Sequence, residues 1–364
     1  MNRLHLITVV RGVRLSVVLL LTALAGSCSK TPVAPTPTPT PIAAPVISCP
    51  ASQSLTSPFA TPISVVYSPP SVAGGASPIT TSCTPASGVT FPLGATTVTC
   101  TATDAQQRTS SCSVTVTVTA PPRIRLTKFL AFGDSITYGE DGRASLTTEL
   151  GGVLRFIRSV QLFGRDYPTV LTSALKARYS LQVDSLVVAN RGNPGEYASD
   201  PTTPGEQSSV SRFSTVLFGQ QVALIMEGSN DVNFAAKDSK VLDSAIANLQ
   251  KMIRAAKTAG IVPYLATIPP MNPNVACCRS AGAALVSGFN DRVRQLATSE
   301  GITLVDVHKA FNGDLSLLSS DGLHPNALGY ERIADAFFQS ISTTLELPPT
   351  VAGAQTQIPL PFGP

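Results

Sequence analysis

Two rhythms of apolar and polar positions divide the chain. Between residues 46 and 119, valine alternates with serine and threonine, as in "TTVTCTATD" and "SCSVTVTVTA". Such period-two alternation sends successive side chains to opposite faces, so these stretches predict half-buried strands. "FPLG" supplies a turn just ahead of one of them. From Lys128 onward the rhythm changes. Apolar runs of strand length ("FLAF", "VDSLVVAN", "VALIME", "IVPYLATI" and "ITLVDV") alternate with helical patterns. In "DSAIANLQKMIRAAKTAG", Ile246, Leu249, Ile253 and Ala256 recur on one helical face and Gly260 supplies the stop. Strands apolar throughout, separated by helices, predict a doubly wound α/β fold in which a parallel five-stranded sheet is flanked by helices. A small all-β sandwich precedes it.

The first 45 residues belong to neither rhythm. A basic segment and an apolar core from Leu15 to Leu24 are followed by small residues. This is the pattern of a secretory signal peptide over residues 1–27, and the apolar run is short for a transmembrane helix. "LAGSC" resembles a bacterial lipobox, although Ala25 stands where leucine is usual. On that resemblance Cys28 is expected to be lipidated and to anchor an exported protein in the bacterial cell envelope, with plain signal cleavage as the alternative. In the linker of residues 28–45, residues 31–45 read "TPVAPTPTPTPIAAP", an uncharged spacer expected to adopt an extended polyproline II form. The formal charge of +4 belongs to the leader: without Arg3, Arg11 and Arg14 it falls to +1. That leaves no electrostatic footprint for nucleic acid.

The seven cysteines fit export. Lipidation of Cys28 would account for the odd one, and six remain for a compartment in which disulfides persist. Cys49, Cys83, Cys100 and Cys112 fall within residues 46–120, a stretch rich in Ser and Thr and without Lys or Glu up to residue 119. Its order "PVISCP … CTPASGVTFPLGATTVTCTATDAQQRTSSCSVTVTV" resembles the HYR (hyalin repeat) module, which is immunoglobulin-like. The resemblance implies a stapled sandwich and a contact with a surface glycan or protein, with a spacer that has no ligand of its own as the alternative. Sequence alone does not fix the connectivity; Cys49–Cys112 with Cys83–Cys100 is the pairing expected.

Candidate chemistry gathers in residues 121–347. Four short blocks fall at or after strand ends: "GDSIT" with Ser135, "ANRGNPGE" with Gly192, "EGSND" with Gly228 and Asn230, and "SSDGLHPNALGY" with Asp321 and His324. In an open parallel sheet, groups beyond the carboxyl ends of the strands crowd one edge. Acyl transfer needs an activated hydroxyl, a base and donors for the oxyanion. Of the three histidines, His5 lies in the leader, so His308 and His324 are the candidate bases. Asp321, three residues before His324, is close enough to orient its ring, and Pro325 fixes the backbone behind it. His308 reads as a strand-end residue sharing a face with Asp306.

The order GDS, N-x-G, G-x-N-D, D-x-x-H-P resembles that of the SGNH (GDSL-type) hydrolases over residues 125–346. That resemblance implies a flavodoxin-like sheet and a catalytic Ser135, Asp321 and His324. It also implies an oxyanion hole formed by the N–H groups of Ser135 and Gly192 and the Asn230 amide. The function expected is an exported serine esterase acting on small or polymeric carboxylic esters through an acyl-enzyme, without metal or organic cofactor. A carbohydrate O-deacetylase and a surface-binding protein with an inactive hydrolase domain are the alternatives. No G-x-S-x-G occurs, which argues against a nucleophile-elbow α/β-hydrolase. The insert 140–165 carries Val153, Leu154, Phe156, Ile157, Val160, Leu162 and Phe163, as core or as acyl-pocket wall. Adjacent Cys277 and Cys278 are expected to form a vicinal disulfide. Residues 348–364, rich in proline, read as a flexible tail.

Overall fold

The computed structural model describes residues 40–142, 145–148, 154–157, 161–201, 207–235, 240–275 and 279–348, with backbone alone for 145–148, 154–157, 234 and 279. The leader, Cys28, Cys277, Cys278, Val153, Val160 and the tail lie outside these residues. Among the described residues no helix is long and apolar enough to cross a membrane.

The N-terminal strands are β1 (Val46–Ser48), β2 (Gln53–Thr56), β3 (Ile63–Ser64), β4 (Ser71–Ala73), β5 (Thr80–Thr84), β6 (Thr90–Phe91), β7 (Gly94–Thr103) and β8 (Thr109–Thr119). A four-stranded sheet runs β2-β8-β7-β5, beside the pairs β1-β4 and β3-β6. The alternation predicted from sequence holds: Val114, Val116 and Val118 turn inward onto Val98, Phe91 and Ala102. Cys49–Cys112 and Cys83–Cys100 are the disulfides, the second joining directly opposed residues of β5 and β7.

The second region begins with β9 (Lys128–Gly133) and the one-turn α1 (Ser135–Tyr138), followed by the hairpin β10 (Ser145–Thr148) and β11 (Leu154–Ile157). Next come α2 (Tyr167–Arg178), β12 (Val187–Gly192), α3 (Ser209–Val216), β13 (Val222–Met226), α4 (Ser229–Phe234) and α5 (Lys240–Thr258). The chain continues through β14 (Val262–Ala266), α6 (Arg279–Glu300), β15 (Thr303–Val305), α7 (Val307–Phe311) and α8 (Ala327–Leu345). The sheet is parallel in the order β12-β9-β13-β14-β15, the doubly wound arrangement expected. Each apolar strand serves two cores. Phe129 and Ala131 of β9 join Tyr167, Leu171 and Phe337, whereas Leu130 and Phe132 join Phe213, Leu249 and Val293 on the other face. Each such ring is worth about 2–3 kcal/mol of burial.

Two boundaries differ from the sequence reading. Strand β12 starts at Val187, because the N–H groups of Ser185 and Leu186 close a turn onto Gln182. The last strand stops at Val305, because Asp306 caps α7 by accepting the Lys309 N–H at 3.2 Å. His308 therefore lies in the first turn of a helix rather than at a strand end.

Candidate active site

The serine is held at the sheet rim by a short strand-to-helix turn. Gly133 ends β9 where a Cβ would lie 2.1 Å from the Met226 carbonyl and 2.2 Å from Thr137 Oγ1, so only glycine fits. Asp134 then caps α1, its carboxylate accepting the Ile136 N–H at 2.9 Å. Ser135 is the first residue of that turn. Its carbonyl is tied down at 3.0 Å by the N–H groups of both Gly139 and Glu140.

Asp321 and His324 arrive on the loop ahead of α8. Asp321 Oδ1 accepts the N–H groups of Leu323 and His324, each at 3.0 Å, while Oδ2 lies 2.6 Å from His324 Nδ1. His324 Nε2 lies 2.8 Å from Ser135 Oγ. The loop is closed by the Ser319 N–H on the His324 carbonyl at 2.7 Å and by the Leu318–Pro325 bridge. Burial pushes the Asp321 carboxyl up, but the hydrogen bond and charge of His324 and the two N–H donors outweigh it and hold the carboxyl below its usual range. Asp321 is therefore an anion at neutral pH, and an anion on Nδ1 fixes the tautomer that leaves Nε2 free to accept the serine proton.

The second block differs from the expectation. The Gly192 N–H donates to Asn190 Oδ1 at 2.9 Å, so it is already spent and does not face an oxyanion. Gly192 is required for packing instead: a Cβ there would lie 2.0 Å from Tyr138 N, within the turn that carries Ser135. Three residues on, Asn193-Pro194-Gly195-Glu196 forms a turn closed by the Glu196 N–H on the Asn193 carbonyl at 3.1 Å, with Gly195 at φ 78°. Proline followed by a left-handed glycine is the signature of a type II turn, and "NPG" carried it in the sequence. Asn230, in the first turn of α4, sits beside this loop and donates to the Glu196 carbonyl at 2.8 Å, with its second amide hydrogen not engaged by that bond.

Acidic side chains surround the serine. Glu140, absent from the sequence-derived set, is buried with Oε2 3.3 Å from His324 Nε2. Glu227 is fully buried at the end of β13, and neither carboxyl oxygen has a hydrogen-bond partner among the described residues. Burial first, then the charges of Asp134, Glu196 and Asp231, drive its carboxyl far upward against the pull of Arg212. Arg212 itself pairs with Glu196 and lies 4.0 Å over the Phe132 ring. The Asp134 carboxyl is raised by burial from the ordinary aspartate value of 3.8 to about 6. Because the folded value is the higher one, this group favours folding while protonated. That contribution, on the order of 3 kcal/mol, is complete below about pH 4 and is lost as pH rises through about 6. Asp134→Asn, which keeps the cap acceptor, is therefore expected to be the more stable protein at neutral pH and to flatten the stability profile between those values. Chemical denaturation at several pH values reads this directly; an unaltered slope would refute it.

Of the remaining candidates, Leu162 packs against the core while Phe163 is 83% exposed, and the side chains of Leu154, Phe156 and Ile157 are not described. His308 is half-buried beside Arg294 and Asp306, after β15, three strands away from the β9 that carries Ser135. Asp141 and Ser319, hydrogen-bonded at 3.2 Å, help line a cavity of about 560 Å³.

A model of the GDSL-like Lipase/Acylhydrolase family matches residues 131–332, and one of the HYR domain matches residues 41–118. No curated protein matches the chain. Among solved structures, an alpha/beta hydrolase enzyme from the metagenome of Lake Arreo is 24% identical and aligns over 60% of this chain and 96% of its own, with a TM-score of 0.44. The lipase/acylhydrolase of Enterococcus faecalis is 19% identical over 60% of this chain and 97% of its own, TM-score 0.46. A carbohydrate acetylesterase of Sinorhizobium meliloti is 16% identical over 60% and 99%, TM-score 0.43.

Proposed function

The chain belongs to the GDSL-like lipase/acylhydrolase family, and from that premise we propose that it is an exported serine esterase cleaving carboxylic esters through an acyl-enzyme. The observation that carries the reading is the unbroken relay from Asp321 through His324 to Ser135, at 2.6 and 2.8 Å. Ser135 Oγ attacks the ester carbonyl as His324 Nε2 takes its proton. The imidazolium, held by Asp321, returns that proton to the departing alcohol oxygen. Water then attacks the acyl-enzyme by the same path in reverse order, releasing the acid and restoring the serine. Donors for the oxyanion are the Ser135 N–H, the Asn230 amide and, in place of Gly192, the Gly195 N–H at the tip of its turn. An inactive binding protein would have no need to keep serine, imidazole and carboxylate in register.

The two disulfides support an oxidising compartment, in keeping with a leader removed before Cys28 and a lipid anchor there. On this reading the HYR module holds the enzyme against a surface glycan or protein at the cell envelope. The deciding experiment is hydrolysis of p-nitrophenyl acetate by the full chain, with mass-spectrometric mapping of a fluorophosphonate adduct. Turnover with the adduct on Ser135 supports the proposal; a folded protein that is inert to both refutes it.

The first domain is expected to be dispensable for the chemistry. The ends of the hydrolase region pair with each other, the Arg125 N–H donating to the Leu345 carbonyl at 3.0 Å and the Leu347 N–H to the Arg123 carbonyl at 2.8 Å. A truncated chain of residues 122–348 keeps these bonds and is expected to retain kcat/KM on p-nitrophenyl acetate within about threefold, since inter-domain contacts within a chain are often modest. A folded but inactive truncation would show that the HYR module helps to build the site.

A further inference from the structure

Glu140 is a buried carboxylate that the mechanism above leaves without a task. Its place is set by its backbone: the N–H donates to the Ser135 carbonyl at 3.0 Å, the carbonyl accepts the Tyr330 hydroxyl at 2.7 Å, and the residue bridges to Gln161. The side chain thus follows the nucleophile wherever α1 carries it. Its Oε2 lies 3.3 Å from His324 Nε2, the nitrogen that is also 2.8 Å from Ser135 Oγ.

Nε2 must deliver its proton to the departing alcohol oxygen, which therefore comes to within about 3 Å of that nitrogen. The alcohol half of the ester is thereby brought alongside the Glu140 carboxylate. An alkyl or aryl alcohol would strip water from that carboxylate and offer no donor, which is costly for a buried charge. An alcohol with a hydroxyl on the neighbouring carbon can donate a charge-assisted hydrogen bond to it, and an anionic alcohol would be repelled.

We propose that Glu140 selects the leaving group, and that the substrates are esters of polyhydroxylated alcohols, in particular O-acyl groups on carbohydrate. This rests on the esterase reading. It also deepens it, because it favours O-deacylation of sugars over lipid or aryl ester cleavage.

Glycerol monoacetate and n-propyl acetate test the idea, because they share the acyl group and a three-carbon alcohol and differ only in hydroxyls. The wild-type chain is expected to prefer glycerol monoacetate by about tenfold or more in kcat/KM, as a charge-assisted bond allows. In Glu140→Ala that ratio is expected to fall to within about twofold of one, with Glu140→Gln, a neutral acceptor of the same shape, in between. The isosteric glutamine keeps the test valid should the alanine variant fail to fold. A wild-type ratio near one, or a ratio unmoved in the variants, overturns the proposal. So does an equal fall on both esters, which would mean that Glu140 merely holds the His324 ring. A wild-type chain inert to these esters and to p-nitrophenyl acetate overturns the esterase reading itself and takes this inference with it.

Discussion

Ser135→Ala is expected to lower kcat/KM on p-nitrophenyl acetate by about ten-thousandfold or more, because removing the nucleophile of a triad leaves only binding and oxyanion stabilisation. Melting temperature should move by no more than a few degrees, since the change deletes one hydroxyl and one hydrogen bond, worth about 1 kcal/mol. The backbone of the turn does not depend on that hydroxyl. Asp134 still caps α1, and Gly139 and Glu140 still hold the residue-135 carbonyl. The pairing of a large kinetic loss with a small thermal one makes the result diagnostic. Retention of most of the wild-type rate by a folded variant would remove Ser135 from the mechanism. A collapse in melting temperature would make it a structural residue instead.

The part of the site that short-range chemistry dictates was legible before any fold was known. An acid three residues from a histidine can orient the ring within one loop, and Asp321 and His324 do meet in that way. The strand-end position of Ser135 followed from the apolar run before it and from Gly133, whose missing Cβ the Met226 carbonyl requires. What escaped was decided by side-chain placement. "NRGNPG" contains two glycines, and residue types alone do not say which N–H is engaged; the Asn190 side chain, two residues back, takes up that of Gly192. Glu140 was not singled out, because its backbone is held by Tyr330 and Gln161, distant in sequence. Glu227 and Asp306 make the same point at two strand ends, one buried without a hydrogen-bond partner among the described residues and the other turned into a helix cap. The parallel, helix-flanked sheet was implied by the alternation of strands and helices, whereas the ends of β12 and β15 depended on individual capping and turn bonds.

His324→Ala and His308→Ala should separate by about three orders of magnitude, the first losing about a thousandfold or more in kcat/KM and the second no more than about threefold. Protonation does not disqualify His308. Burial, then the nearby Arg294 charge, push the His308 imidazole below its usual value against the opposing pull of Asp306 and Asp291, so near neutral pH it is uncharged and able to accept a proton. Position is what disqualifies it. His308 follows β15 and Ser135 follows β9, with β13 and β14 between them. Three strand spacings put about 14 Å of sheet between those two strands, beyond any hydrogen bond. His324 reaches the serine because its loop returns to that edge and is fixed there by Ser319 and by Asp321 on the far ring nitrogen. The comparison should be made at matched melting temperature, with added imidazole as a further arm. Free imidazole is expected to restore part of the rate in His324→Ala by occupying the vacated space, and to leave His308→Ala unaffected. Equal losses in the two variants, or rescue of the wrong one, would mean that the proton leaves Ser135 by another route.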